Sequence, residues 1–136
     1  MEQENKDLLL KDICSRIPYW VRVDYMGKIY DVLGISHERL ILCKPFMSQT
    51  LEYCPLVEEV KPYLFPMSSM TEDIEAEIYA ETGLYDIMEN DMVHIEVGAN
   101  FLDVCKLFNI LNKHRLDYNN LIPKGLAKDA TNLNIY

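Results

Sequence analysis

The sequence predicts an α+β fold: a small antiparallel sheet of three to five strands packed against an N-terminal and a C-terminal helix, with a separate acidic surface helix. Three observations carry this expectation. Apolar and polar residues alternate through much of residues 19–43, the period of half-buried strands. Apolar residues recur at helical spacing over 6–17 and again over 100–113. Between the two regimes lies Lys61-Pro62-Tyr63-Leu64-Phe65-Pro66-Met67-Ser68-Ser69-Met70-Thr71-Glu72. Pro62 and Pro66 rule out, on this reading, a regular helix or central strand through Tyr63 to Phe65. Tyr63, Leu64 and Phe65 are too apolar for a free linker. The stretch is expected to be an extended, anchored crossing within one domain of 136 residues. It divides a strand-rich part (1–60) from a helix-rich part (71–136), the crossing itself covering 61–70.

In chain order, Asn5 is the expected N-cap of a first helix from Lys6 to Ile17. Leu9, Leu10, Ile13, Cys14 and Ile17 share one face, so Cys14 reads as a buried thiol. Lys6, Lys11, Asp12 and Arg16 mostly occupy the other face, and Pro18 stops the helix. Tyr19 to Tyr25 alternates as a strand, with Tyr19, Val21, Val23 and Tyr25 on one side. Met26-Gly27 is a tight turn, where Gly27 supplies a positive φ. Lys28 to Ile35 returns, Ser36-His37-Glu38 turns again, and Arg39 to Cys43 is a third strand ended by Lys44-Pro45. Short connections make a meander the simplest topology. Thr50 to Cys54 is a candidate fourth strand, and Leu56 to Val60 a short helix opened by Pro55.

Beyond the crossing, Ser69 and Glu72 have the spacing of a capping box for a helix from Met70 to Glu81. Its apolar seam is narrow: Met70, Ile74 and Ile78. The like-charge pairs Asp73/Glu77 and Glu77/Glu81 each cost about 0.2–0.5 kcal/mol. Glu72 and Asp73 offset part of that at the positive helix end, and Gly83 can close the helix. Met92 to Val97 alternates as a last strand. Asn100 to Lys113 is the strongest helical pattern, with Phe101, Val104, Cys105, Leu107, Phe108 and Leu111 forming a broad apolar face. Leu102 and Ile110 fall among its polar residues. They call for cover, here expected from the same chain rather than from a subunit or partner. The tail from Leu116 to Leu126 is too apolar to be a disordered end.

The net charge of −9 has one source. Between Pro62 and Cys105 there is no lysine or arginine, and that span holds ten acids: Glu72, Asp73, Glu75, Glu77, Glu81, Asp86, Glu89, Asp91, Glu96 and Asp103. The rest of the chain, with 13 bases, carries +1. This argues against ordinary phosphate binding, in which Lys and Arg neutralise the nucleic-acid backbone, and leaves room for a basic partner. The first residues lack the basic start and long apolar run of a signal peptide. No apolar run approaches the roughly 18 residues of a membrane span. Four scattered cysteines, Cys14, Cys43, Cys54 and Cys105, then read as free thiols of a cytoplasmic protein. There is no Gly-rich phosphate loop, dinucleotide fingerprint, His-Glu-x-x-His or Cys-x-x-Cys motif. His37 with Cys43 and Cys54 lacks zinc-site spacing. Asp86, Glu89 and Asp91 miss the calcium-loop pattern and read as a solvated acidic loop.

Three stretches together carry a resemblance: Leu8 to Tyr19, Lys61 to Glu72, and Leu116 to Ala127 running on to Asp129-Ala130-Thr131. Over nearly its whole length the chain resembles a family of short proteins, without assigned activity, encoded in gut Bacteroidales and their phages or integrated elements. The Lys-Pro-Tyr-Leu…Pro-Met-Ser-Ser-Met-Thr run is its most specific part. The chain departs from that pattern in having Asn119-Asn120 where the family has Arg-Gly, and in the segment from Asp86 to Val97. The resemblance implies no substrate, cofactor or catalytic residue.

The functional expectation is therefore a non-catalytic interaction or accessory protein of a mobile element or its host. Its candidate contacts to a basic protein partner are Glu72, Asp73, Glu77, Glu81, Leu102 and Ile110. One alternative is an acidic mimic that blocks a basic nucleic-acid-binding surface of another protein. The other is an enzyme whose pocket gathers His37, His94 or His114 with a carboxylate. No cofactor, metal, direct nucleic-acid contact or membrane association is expected.

Overall fold

The computed structural model describes residues 1–45 and 51–136. Helix α1 (Gln3–Arg16) leads through a 3₁₀ turn at Ile17–Tyr19 into strands β1 (Arg22–Tyr25), β2 (Lys28–Ser36) and β3 (Arg39–Cys43). A 3₁₀ turn at Val57–Glu59 precedes β4 (Val60–Leu64). There follow α2 (Glu72–Thr82), a small hairpin of β5 (Met88–Glu89) and β6 (Met92–Val93), α3 (Phe101–Lys113) and β7 (Lys128–Asp129). The main sheet has the order β3-β2-β1-β4-β7. The class is the expected α+β. All pairings in this sheet are antiparallel except β4 with β7, which is parallel.

The meander forms where the alternation places it, though β1 begins at Arg22 rather than Tyr19. The reason is Trp20, which adopts the left-handed conformation (φ 64°) and closes the 3₁₀ turn by donating to Ile17 O. In the β1–β2 turn both Met26 (φ 53°) and Gly27 (φ 79°) have positive φ, the conformation a two-residue hairpin needs. Of the expected fourth strand, Thr50 lies outside the described residues. The remainder makes one single bridge, Tyr53 to Leu42, and Leu56 beyond it makes another to Arg39, both along β3. Leu56 to Val60 is a 3₁₀ turn followed by the first residue of β4, not an α-helix.

Helix α1 starts earlier than expected, with Glu2 rather than Asn5 at its N-cap. Leu9 and Ile13 pack on Val21, Val23, Val32, Leu40 and Leu42 in the first core. The polar face of α1 is not all solvated. Asp12 and Arg16 are buried, and Arg16 donates from Nε and Nη2 to the two Asp12 oxygens at 2.8 and 2.9 Å. Asn119 also donates to Asp12 Oδ1, and the Arg16 guanidinium lies 4.9 Å from the centre of the Tyr118 ring. The residues after α3 have folded over this face. Cys14, in contrast, is exposed. It stands one position beyond the contact made by Ile13, so its place on an apolar stripe misled.

The crossing holds the largest correction. Val60–Leu64 is an inner strand of the sheet despite Pro62. Pairing with β1 ends at Pro62, opposite Val23, and pairing with β7 begins at Tyr63. The residue without an amide hydrogen thus stands where one neighbour gives way to the next, and no ladder bond is forfeited. One more residue, Phe65, bridges in parallel to Leu116. The tail then returns across the opposite face of the sheet. There Arg22 donates to Asp31 at 2.9 Å, and Tyr136 accepts from Arg22 N (2.9 Å) while donating to Tyr63 O (2.7 Å). Arg115 stacks 4.0 Å from the Tyr136 ring centre.

Beyond Phe65 a second core begins. Met67, Ile78, Ile87, Leu107, Ile110, Leu111 and Leu116 are buried together, joining α2, the hairpin and α3. Helix α3 therefore organises this lobe rather than lying flat on the sheet. Its buried stripe is Leu107, Ile110 and Leu111 with Asn112, rotated from the expected face. Phe101 and Cys105, assigned to that face, are exposed. Among the described residues no helix is long and apolar enough to cross a membrane.

Candidate interaction surface

The second lobe owes its shape to caps and turns. Thr71, not Ser69, caps α2, its hydroxyl accepting from Ile74 N at 3.3 Å. Ser69 is instead used in a 3₁₀ turn at Met67–Ser69, which shifts the helix start past Met70. At the far end Gly83 takes φ 72° and its N–H reaches Tyr79 O. The Thr82 hydroxyl donates to Ile78 O (2.7 Å) and accepts from Leu84 N (3.0 Å), turning the chain sharply back along the helix. The expected strand from Met92 to Val97 is reduced to Met92–Val93, paired with Met88–Glu89 around Asn90-Asp91. Both turn residues have positive φ (51° and 61°), which Asn and Asp tolerate better than most.

Folding back leaves a pocket of about 210 Å³ between α2 and residues 84–88. Its floor is Ile78, Leu84, Ile87 and Met88, and its rim is Glu75, Tyr85 and Asp86. On the α3 side of α2 lies a second groove of about 270 Å³, lined by Tyr19, Glu77, Glu81, Lys106, Asn109, Ile110 and Lys113. Here Glu77 accepts from Lys113 Nζ at 2.9 Å and stands 3.0 Å from His114 Nε2. These two contacts hold the Glu77 carboxyl below its usual pKa. The arrangement clasps α2 to the C-terminal end of α3.

Glu77 and Glu89, the latter 3.6 Å from His94, are the only acids of residues 72–103 with an ion pair among the described residues. Glu72, Asp73, Glu75, Glu81, Asp86, Asp91 and Glu96 are exposed and make none. Large apolar side chains stand exposed on the same lobe: Tyr79, Tyr85, Met92, Val97, Phe101 and Leu102. Acids without an ion pair among the described residues and apolar groups without cover therefore occur on the same lobe.

Of the residues singled out from sequence, Glu77, Glu81 and Ile110 meet in the second groove. Ile110 is only 6% exposed there, covered by its own chain, and forms floor rather than contact. It shares a buried cluster with Ile78 of α2 and with Leu116, where the tail begins. Leu102 stays 66% exposed on the first turn of α3, beside Phe101, and Glu72 and Asp73 project at the start of α2. The three histidines do not converge: His37 is in the β2–β3 turn, His94 follows β6, and His114 ends α3. Cys43 is buried in β3 while Cys54 is exposed, and all four cysteines are free. The pocket residues Glu75, Leu84 and Tyr85 were not visible as a group, because only the Thr82–Gly83 reversal brings residues 84–88 back against α2. Comparison of the chain with family models, curated proteins and solved structures finds no match.

Proposed function

We propose that the protein is a non-catalytic interaction protein whose second lobe docks a basic partner protein. One observation carries the reading: seven exposed acids of this lobe make no ion pair among the described residues, and the same lobe exposes large apolar side chains. A surface of that kind offers a partner both charge complementarity, which steers encounter, and apolar area, which supports affinity. Given the sequence resemblance described above, the role is that of a small accessory factor of a mobile element or its host. The acidic-mimic reading differs in one respect, since a mimic works by charge and needs no apolar contact.

The test uses the full chain as bait for cell proteins, at low and high salt, beside two variants. One replaces Glu75, Glu81, Asp86 and Asp91 by their amides; the other is Tyr79→Ser with Tyr85→Ser. Retention that needs both the acids and the tyrosines supports the docking reading. Retention that needs only the acids and is released by salt favours the mimic. Retention indifferent to both variants overturns the assignment to this surface.

A further inference from the structure

We infer that the pocket between α2 and residues 84–88 is a socket for one lysine or arginine side chain of the partner, fixing the register in which a basic segment docks. The inference deepens the interaction reading and rests on it. The floor is apolar, with Ile78 and Ile87 buried and Leu84 and Met88 half-buried. Glu75 and Asp86 stand at the rim without a cation partner among the described residues, and the exposed Tyr85 lines the same pocket.

Such a lining is matched by a side chain with an aliphatic stem and a charged head. Lys and Arg lay their methylenes on apolar surface and carry the charge outward, here to two carboxylates with an aromatic face beside them. An uncharged apolar side chain would fill the floor but strip water from both acids without replacing it. At about 210 Å³ the pocket is smaller than the ~300–1,000 Å³ of small-molecule sites, and so suits a single side chain. The chain cannot fill the socket from nearby sequence, having no lysine or arginine between Pro62 and Cys105, and the neighbouring Lys113 is engaged by Glu77. A second copy is a poor occupant as well: each carries −9 overall, and the residues outside 63–104 only +1.

The probe is a labelled amphipathic helical peptide with Lys on one face and Leu on the other, titrated into the full chain and read by fluorescence anisotropy. Glu75→Gln with Asp86→Asn should weaken binding by about tenfold or more, whereas Glu72→Gln with Asp73→Asn, which removes equal charge elsewhere on α2, should weaken it less than about threefold. Tyr85→Ala, at an exposed position, should also weaken it and gives a second reading if the amide pair disturbs the fold. Equal losses from both amide pairs, with no effect of Tyr85→Ala, overturn the socket but leave docking by diffuse charge. Failure of the unsubstituted chain to bind the peptide overturns the docking reading itself. A dimer of the protein alone that Glu75→Gln with Asp86→Asn dissociates would put a second copy in the socket and overturn the assignment to a foreign partner.

Discussion

Asp12 and Arg16 show how much one pair of side chains can depend on residues a hundred positions away. Both are charged and four apart on a helix, which by itself suggests a weak surface pair. Tyr118 and Asn119 convert it into a buried one. Removing one partner of such a pair leaves an uncompensated charge, so Asp12→Ala should cost about 3–5 kcal/mol in denaturant unfolding. Asp12→Leu combined with Arg16→Met should recover much of that loss, because no buried charge then remains. Glu77 makes a different prediction. Its carboxyl is held below the ordinary value by Lys113 and His114. The stability from this clasp is complete above the unfolded pKa of Glu and is lost as pH falls through the lower, folded value. Glu77→Gln should therefore lower the melting temperature near neutral pH and reduce the dependence of stability on pH in the acid range. Equal pH dependence in the two proteins would show the clasp contributes nothing.

At the scale of single elements, α3 offers the sharpest contrast. Ile110 and Leu102 both fall among polar residues in sequence, yet one is buried and the other exposed. Ile110→Ala should cost about 2–5 kcal/mol, while Leu102→Ala should stay within about 0.5 kcal/mol; thermal or chemical unfolding of each variant checks the pair. The hairpin strands of the sheet were legible because alternation and turn residues agree over Lys28 to Cys43. The α3 boundaries were legible because Asn100 is a good cap, its side chain accepting from Leu102 N. The buried face of α3 was not, since its orientation is set by α2, whose approach no local pattern reports. The inner position of β4 was not either. A proline in a strand argues for an edge unless the neighbours on its two sides meet it in different halves, which is a property of β1 and β7 rather than of Pro62.

The molecule as a whole carries its charge on one lobe and its sheet in the other. Screening should relieve repulsion among the unpaired acids, so monovalent salt should raise the melting temperature. A fall on adding salt would place these acids in attractive contacts that the ion pairs described above do not include. The candidate surface was half legible at this scale. The ten acids and the missing cations could be counted, but which acids border an apolar pocket depended on the chain reversal at Thr82 and Gly83. Separate cores in the two lobes also mean that unfolding need not be uniform. The second lobe has short strands and a thinly anchored α2, features of regions that open at lower free energy than a central sheet.

The position of β4 bears on how the chain is made as well as how it stands. The edge of this strand away from β1 is closed by Lys128 and Asp129, which follow it by about 65 residues. At roughly 5–20 residues per second of synthesis, Tyr63 and Leu64 wait about 3–13 s with that edge open. During this interval the strand is a template for pairing with other chains. A chain ended after Arg115 keeps the exposed edge permanently, and should collect in aggregates when expressed; recovery of such a chain as a soluble monomer would show that the edge is guarded by something other than the tail. Lys61 at the start of the strand is exposed and charged, as edges that must avoid pairing often are. In this chain an inner strand carries the safeguards of an outer one because, for the first seconds of its existence, it is an outer one.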